Sequence, residues 1–191
     1  SDPNAYFKLV DSLLDSPRFG ERLASMWMTV ARFAEDQAHQ VGNDTKYFYP
    51  HAHRYRQWVI DALNRDLPYD QFVRLQLAAD FYGEDDMEAL GFLGLGPQYY
   101  NRKRLDVLAE EWEDRVDTVT RGFLGLTVAC ARCHDHFYDP ITTRDYHALA
   151  GVFASTRMEK RKVGDREMHI VKDDKVRDLE GFIRGNVEDK G

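Results

Sequence analysis

From Leu105, the apolar residues Leu108, Trp112, Val116, Val119, Phe123 and Leu126 advance by 3, 4, 4, 3, 4 and 3. Only a helix of about 3.6 residues per turn brings all of these onto one face, and such a stripe has to be covered by other elements. The covering stripes have the same period. Asp2 and Pro3 read as an N-cap and first helical residue ahead of Phe7, Val10, Leu13 and Leu14. Beyond the break at "DSPRFGERL", Phe19, Leu23, Met26, Trp27, Val30 and Phe33 resume it. Tyr55, Trp58, Val59, Ala62 and Leu63 form a third helix, Gln71 to Ala79 a fourth, and Tyr146, Leu149, Val152 and Phe153 a last one. "EDQAHQVGNDTK" has the composition of a loop and "GEDDME" that of a surface turn. Only "MHIVK" at 168–172 reads as strand. The expected fold is mainly α, a single helical domain of six or seven helices with long loops, over residues 1–156. Residues 157–191 read as a charged C-terminal extension, the start of a connection to a further domain.

Composition removes several classes of function. The chain has 191 residues, 43% of them hydrophobic, enough for one domain with a real core. Its 33 acidic against 26 basic residues give a net charge of −7, which argues against a nucleic-acid surface or a polybasic membrane patch. The longest nearly apolar run, 122–131, is about half of what a bilayer requires, so no membrane span is expected. The N-terminal residues carry no export signal, so any such signal would lie upstream or have been removed.

The long helix is expected to deliver "LTVACARCHDHFYDPI", which holds both cysteines of the chain. Cys130, Cys133 and His134 form C-x-x-C-H, the attachment pattern of c-type haem. Two thiols one helical turn apart match the two vinyl groups on one porphyrin edge, and the adjacent histidine is then held beneath the iron as proximal ligand. Three other readings compete: two free buried cysteines, a redox dithiol, and half of a zinc site completed by "HDH" at 134–136. The dithiol needs a βαβ context that this chain lacks, whereas zinc stays open as an alternative.

Several residues are candidates around a haem. His39, in the long polar loop, ranks first as distal ligand, followed by His51 and His53; Met26 and Met28 read as core. His136 lies too close to His134 to reach the opposite face and reads as a supporting residue. Asp135, Asp139 or the Pro140 carbonyl can accept the free imidazole N–H of His134, although "DPITT" also reads as a turn and helix cap. Arg54 and Arg56 are the first candidates for the haem propionates. Arg121 and Arg132 are alternatives, with Arg121 also able to pair with Asp117 one turn earlier. Trp27, Tyr55, Trp58, Trp112 and Phe123 read as haem walls or as plain core. Gly122 and Gly125 suggest a close approach to a neighbouring element.

The stretches "PNAYFKLVDSLLDSPRFGERLASMWMTVARFAED", "PHAHRYRQWVIDALNRDLPYDQFVRLQLAAD" and "VDTVTRGFLGLTVACARCHDHFYDPITTRDYHALAGVFAST" together resemble the planctomycete cytochrome-like domain of large exported multidomain proteins. The resemblance spans roughly residues 3–156. It implies haem c, export and neighbouring domains, but no defined reaction. Similar family members carry "GHEF"-like segments near the position of His39, and often Trp where this chain has His53, so no role passes to that histidine.

Three functions follow as expectations. The first is a c-type cytochrome module transferring single electrons to or from a partner protein or an adjacent domain. The second is an open-site haem enzyme or sensor for peroxide or a small gas. The third is a glycan- or partner-binding domain stabilised by haem or zinc. Covalent haem attachment takes place outside the cytoplasm, so the expected location is extracytoplasmic, in the periplasm or at the cell surface.

Overall fold

The periodic stripes form helices in the computed structural model, which describes residues 2–36, 49, 51–83, 85–98, 104–163 and 166–173. Seven α-helices appear among the described residues: α1 (Ala5–Leu14), α2 (Arg18–Val30), α3 (Ala52–Asn64), α4 (Tyr69–Ala78), α5 (Gly91–Gly94), α6 (Leu105–Val119) and α7 (Thr143–Ala154). The protein is mainly helical, as its periodicity requires. α1 begins later than expected. Asp2 accepts the Asn4 N–H on its side chain at 2.9 Å and the Ala5 N–H on its carbonyl, which makes a turn ahead of the helix rather than its cap.

The core lies where α2, α3, α4, α5 and α6 meet. Tyr55 and Val59 of α3, Phe92 of α5 with its neighbours Leu90 and Leu95, and Val116 of α6 are almost wholly out of solvent. Burial of each such large apolar side chain is worth about 1.5–3 kcal/mol. Trp27 of α2 packs against Phe72, Phe92 and Phe123 with ring centroids 5.2, 5.8 and 5.5 Å apart. The aromatic residues thus serve the core. Its polar centre is Gln76, which accepts from the Tyr55 hydroxyl at 2.7 Å and the Trp27 indole N–H at 2.9 Å, and donates to the Phe72 carbonyl. Burial pushes the Tyr55 phenol well above its ordinary 10.0, with the Trp27 hydrogen bond acting the other way.

"GEDDME" is more than a surface turn. Met87 is buried, and the Asp86 carboxylate accepts from the Trp58 indole at 2.6 Å and from Arg65 at 2.9 Å. The short turn Met87–Leu90 leads straight into α5, whose four residues are all buried.

Two helices end with a non-glycine residue in the left-handed region, Arg32 at φ 51° and Asp66 at φ 52°. Each sits one residue past its C-cap, and the hydrogen bonds Phe33 N–H to Met28 O and Leu67 N–H to Ala62 O close the usual wrapped ending. Asp66 is exposed, and a carboxylate at a helix C-terminus opposes the helix dipole. Asp66→Gly is therefore expected to stabilise the fold by about 0.5–1 kcal/mol, read as a small rise in thermal midpoint; a fall would show that its backbone carries no strain.

The chain after α7 turns back on the body. Strands β1 (Thr156–Val163) and β2 (Arg166–Asp173) pair antiparallel, from Thr156 opposite Asp173 to Val163 opposite Arg166. β2 contains "MHIVK", the one stretch read as strand, and runs beside α5 and the turn Met87–Leu90. The first part of the charged extension is thus a hairpin laid on the domain; residues 174–191 lie outside the described residues.

Candidate functional site

The apolar stripe of α6 runs on through one π-type turn, Thr120–Leu124, and stops at Gly125, where φ is 66°. Gly122 lets this turn approach α2, since a Cβ there would stand 3.1 Å from a methyl of Val30. The cysteines are therefore not on the long helix. Cys130 lies in a separate 3-10 turn, Val128–Arg132, and Cys133 is the residue that ends it. Buried Val128 and Ala131 root this turn against α6 and α7, which leaves both thiols free and exposed.

His134 is exposed, and its Nδ1 lies 2.8 Å from the backbone carbonyl of Asp135. A carbonyl only accepts, so Nδ1 carries a proton, and the neutral form of the ring has its lone pair on Nε2. This is the tautomer a metal-binding imidazole needs. Of the three acceptors expected for this N–H, the structure selects Asp135, through its main chain. The Asp135 carboxylate meanwhile accepts the Thr143 N–H at 2.8 Å and ties the loop to the start of α7. α7 has a full capping box: Thr142 accepts from the Asp145 N–H, while Asp145 accepts from the Thr142 N–H at 2.8 Å. The Thr142 backbone and hydroxyl together hold the Asp145 carboxyl below its ordinary 3.8. The helix-cap reading of "DPITT" is thus realised.

His136 is committed elsewhere. Its side chain is 6% exposed, its Nδ1 receives the backbone N–H groups of Tyr138 at 3.2 Å and Asp139 at 2.9 Å, and its Nε2 faces the Thr127 hydroxyl at 2.9 Å. Asp139 stands beside His136, with a carboxylate oxygen 3.4 Å from Nδ1, rather than beside His134. The zinc alternative drew on "HDH", and this use of both His136 nitrogens weighs against it. Among the described residues no three His, Cys, Asp or Glu side chains group as metal ligands. The loop carries bare aromatic surface. Phe137 is 80% and Tyr138 94% exposed, and the Phe137 ring lies 4.5 Å from that of His134.

A cleft of about 540 Å³ opens beside Cys130 and is lined by Arg32, Arg121, Arg132 and four acidic residues. That volume falls in the range of small-molecule sites. Arg32 bridges Asp114 and Asp117 of α6, Arg121 binds Asp117 at 2.5 Å, and Arg132 pairs with Glu113. The hydrogen bond to Asp117 raises the Arg121 guanidinium pKa above its ordinary value. The pairing of Arg121 with Asp117 matches expectation. Arg32 was not foreseen, because nothing local to "VARFAED" signals that its side chain crosses to α6.

Arg54 and Arg56 are placed elsewhere, on α3, which packs on α2, α5 and the turn Met87–Leu90. Arg54 faces Glu88 at 3.5 Å, and Arg56 binds Glu35 at 3.2 Å and lies over the Phe33 ring. His51 caps α3, and exposed His53 follows in its first turn with ring centroids 6.1 Å apart. His39 lies outside the described residues. Met28 packs partly buried against the core, while Met26 is 49% exposed on α2.

The residues fit a covalently held haem. Two free thiols three residues apart precede an exposed imidazole whose Nδ1 is hydrogen-bonded, beside an open cleft whose three guanidinium groups are each paired with a carboxylate of α6. A family model described as PSCyt2, protein of unknown function (DUF1549), matches residues 1–158. No curated protein and no solved structure matches the chain.

Proposed function

The chain belongs to the PSCyt2 family, a planctomycete cytochrome-like domain family, and on that footing we propose that it is a c-type cytochrome module for single-electron transfer. The observation that carries this reading is the hydrogen bond from His134 Nδ1 to the Asp135 carbonyl. It leaves Nε2 free next to two exposed thiols. When bound, haem supplies a one-electron iron couple.

The chain's own residues perform the rest. Cys130 and Cys133 provide the two attachment sulfurs, and His134 provides the proximal nitrogen. Arg121, Arg132 and Arg32 on the Cys130 side, or Arg54 and Arg56 on α3, would offer guanidinium donors to ligand carboxylates by exchanging their present carboxylate partners. Exposed Phe137 supplies apolar contact beside the imidazole. His39, His51 and His53 are the distal candidates. Electrons pass to a partner protein or an adjacent domain of the same polypeptide, and the work is extracytoplasmic, where such attachment takes place. No helix among the described residues is long and apolar enough to cross a membrane.

Carbon monoxide added to the reduced, haem-loaded protein separates the readings. Sharp α and β bands that do not move are the expected result, and they mark an iron closed on both faces. A large shift would mark an open site and favour peroxide or gas chemistry. A colourless, zinc-loaded preparation would overturn the haem reading.

A further inference from the structure

We propose that His136 is the positioning residue for His134: its buried ring fixes the peptide whose carbonyl sets the tautomer and aim of that imidazole. The consequence for function rests on His134 as iron ligand, but the hydrogen-bond assignment does not.

Two donors and one acceptor face His136 Nδ1: the backbone N–H groups of Tyr138 and Asp139 at 3.2 and 2.9 Å, and the Asp139 carboxylate at the longer 3.4 Å, so the two shorter contacts decide the proton's place. Backbone N–H groups only donate, so the two that converge on His136 Nδ1 require a lone pair there. The proton of the neutral ring is then on Nε2, where it donates to the Thr127 hydroxyl. His136 therefore has the opposite tautomer to His134, only two residues away. A ring held at both ends, with its side chain 6% exposed, cannot turn without breaking its three hydrogen bonds to Tyr138, Asp139 and Thr127.

That fixed ring controls its neighbour through one peptide unit. The Asp135 carbonyl and the His136 N–H belong to the same plane. The N–H donates to the Ile141 carbonyl at 2.8 Å, while the carbonyl, on the opposite edge, accepts from His134 Nδ1. Ile141 in turn donates to the Asp139 carbonyl, and the Asp139 N–H donates to the His136 ring. The loop is a closed circuit with the ring at its centre. Thr127, just before the turn that carries Cys130, joins the attachment turn to it.

The test uses the full chain, first without haem, by nitrogen-15 imidazole spectra and amide exchange. In the wild type, His134 is expected as the Nδ1–H form and His136 as the Nε2–H form. His136→Ala is expected to speed exchange of the Tyr138 and Asp139 amides by about tenfold or more and to let His134 populate both tautomers. His136→Asn places a carbonyl oxygen where Nδ1 stood and is expected to restore both properties. Loss of the Nδ1–H bond makes the His134 imidazole less basic. In haem-loaded protein, the reduction potential is thus expected to rise in His136→Ala and to return in His136→Asn.

An unchanged His134 tautomer in His136→Ala, or no rescue by Asn, overturns the positioning role, whatever the haem result. If His136→Ala does not fold, Thr127→Val serves instead: it is expected to speed exchange of the same two amides and leave those of α6 unchanged, and no change there overturns the proposal. A correct tautomer pattern in a chain that never takes up haem overturns only the cytochrome reading.

Discussion

Made in a host with haem-maturation machinery, the double variant Cys130→Ser and Cys133→Ser is expected to lose all haem that survives a denaturing gel. The effect is complete because serine forms no thioether, and no other cysteine is present to replace either sulfur. Each single variant is expected to keep a weaker covalent band through its remaining thiol. His134→Ala tests a separate function, since it leaves both sulfurs in place: haem is expected to stay attached, with an altered spectrum. The fold should withstand these changes, because all three side chains are exposed and Val128 and Ala131 carry the packing of the turn. Loss of helicity in the double variant would contradict that division of roles.

The second large effect belongs to the core. Gln76→Leu keeps the approximate volume but removes the oxygen that accepts from both Tyr55 and Trp27. The Trp27 N–H keeps the Tyr55 oxygen at 3.0 Å as a partner, whereas the buried Tyr55 hydroxyl proton is left with none in that network. The expected cost is about 2–4 kcal/mol, or roughly 5–15 °C in thermal midpoint for a chain of this length. Tyr55→Phe removes donor and orphan together and leaves Trp27 bonded to Gln76, so it is expected to cost only about 1 kcal/mol. Differential scanning calorimetry of the two variants checks the order. Equal losses would show that Gln76 is not the centre of the network.

The sequence announced what depends on local repetition. α6 was legible because its apolar residues keep helical spacing for the whole element, and α2, α3, α4 and α7 likewise. What failed was whatever depends on long-range packing. α5 has four residues, too few to display a period, and lies among glycines, yet Phe92 and its neighbours are the middle of the core. An isolated helix of that length is unstable, so only its surroundings hold it. The long stripe also concealed its own interruption: Leu126 keeps the spacing, but Gly125 has already ended the helix, which puts the cysteines on a turn of their own.

The site divides in the same way. Cys130, Cys133 and His134 stood out in the sequence because haem attachment requires adjacency, and the fold leaves all three exposed. A partner for the His134 N–H was expected within the next few residues and is there, although as a carbonyl, which every residue possesses and no pattern identifies. The cleft guanidinium groups were half legible. Arg121 precedes the motif and Arg132 lies between its two cysteines, while Arg32, just past the end of α2, is itself a left-handed residue where glycine is usual. Arg54 and Arg56 are propionate candidates in the sequence because they are basic and close to histidines. Their carboxylate partners, Glu88 and Glu35, are distant in sequence and visible only once the chain is folded.

Intact-mass measurement of the matured, purified chain, with its reduced absorption spectrum, tests the central claim most directly. The expected result is the mass of the polypeptide plus one haem, retained after denaturation and extraction with acidified solvent, together with sharp α and β bands in the reduced native protein. A polypeptide of unmodified mass, colourless although its host attached haem to a control cytochrome, would contradict it.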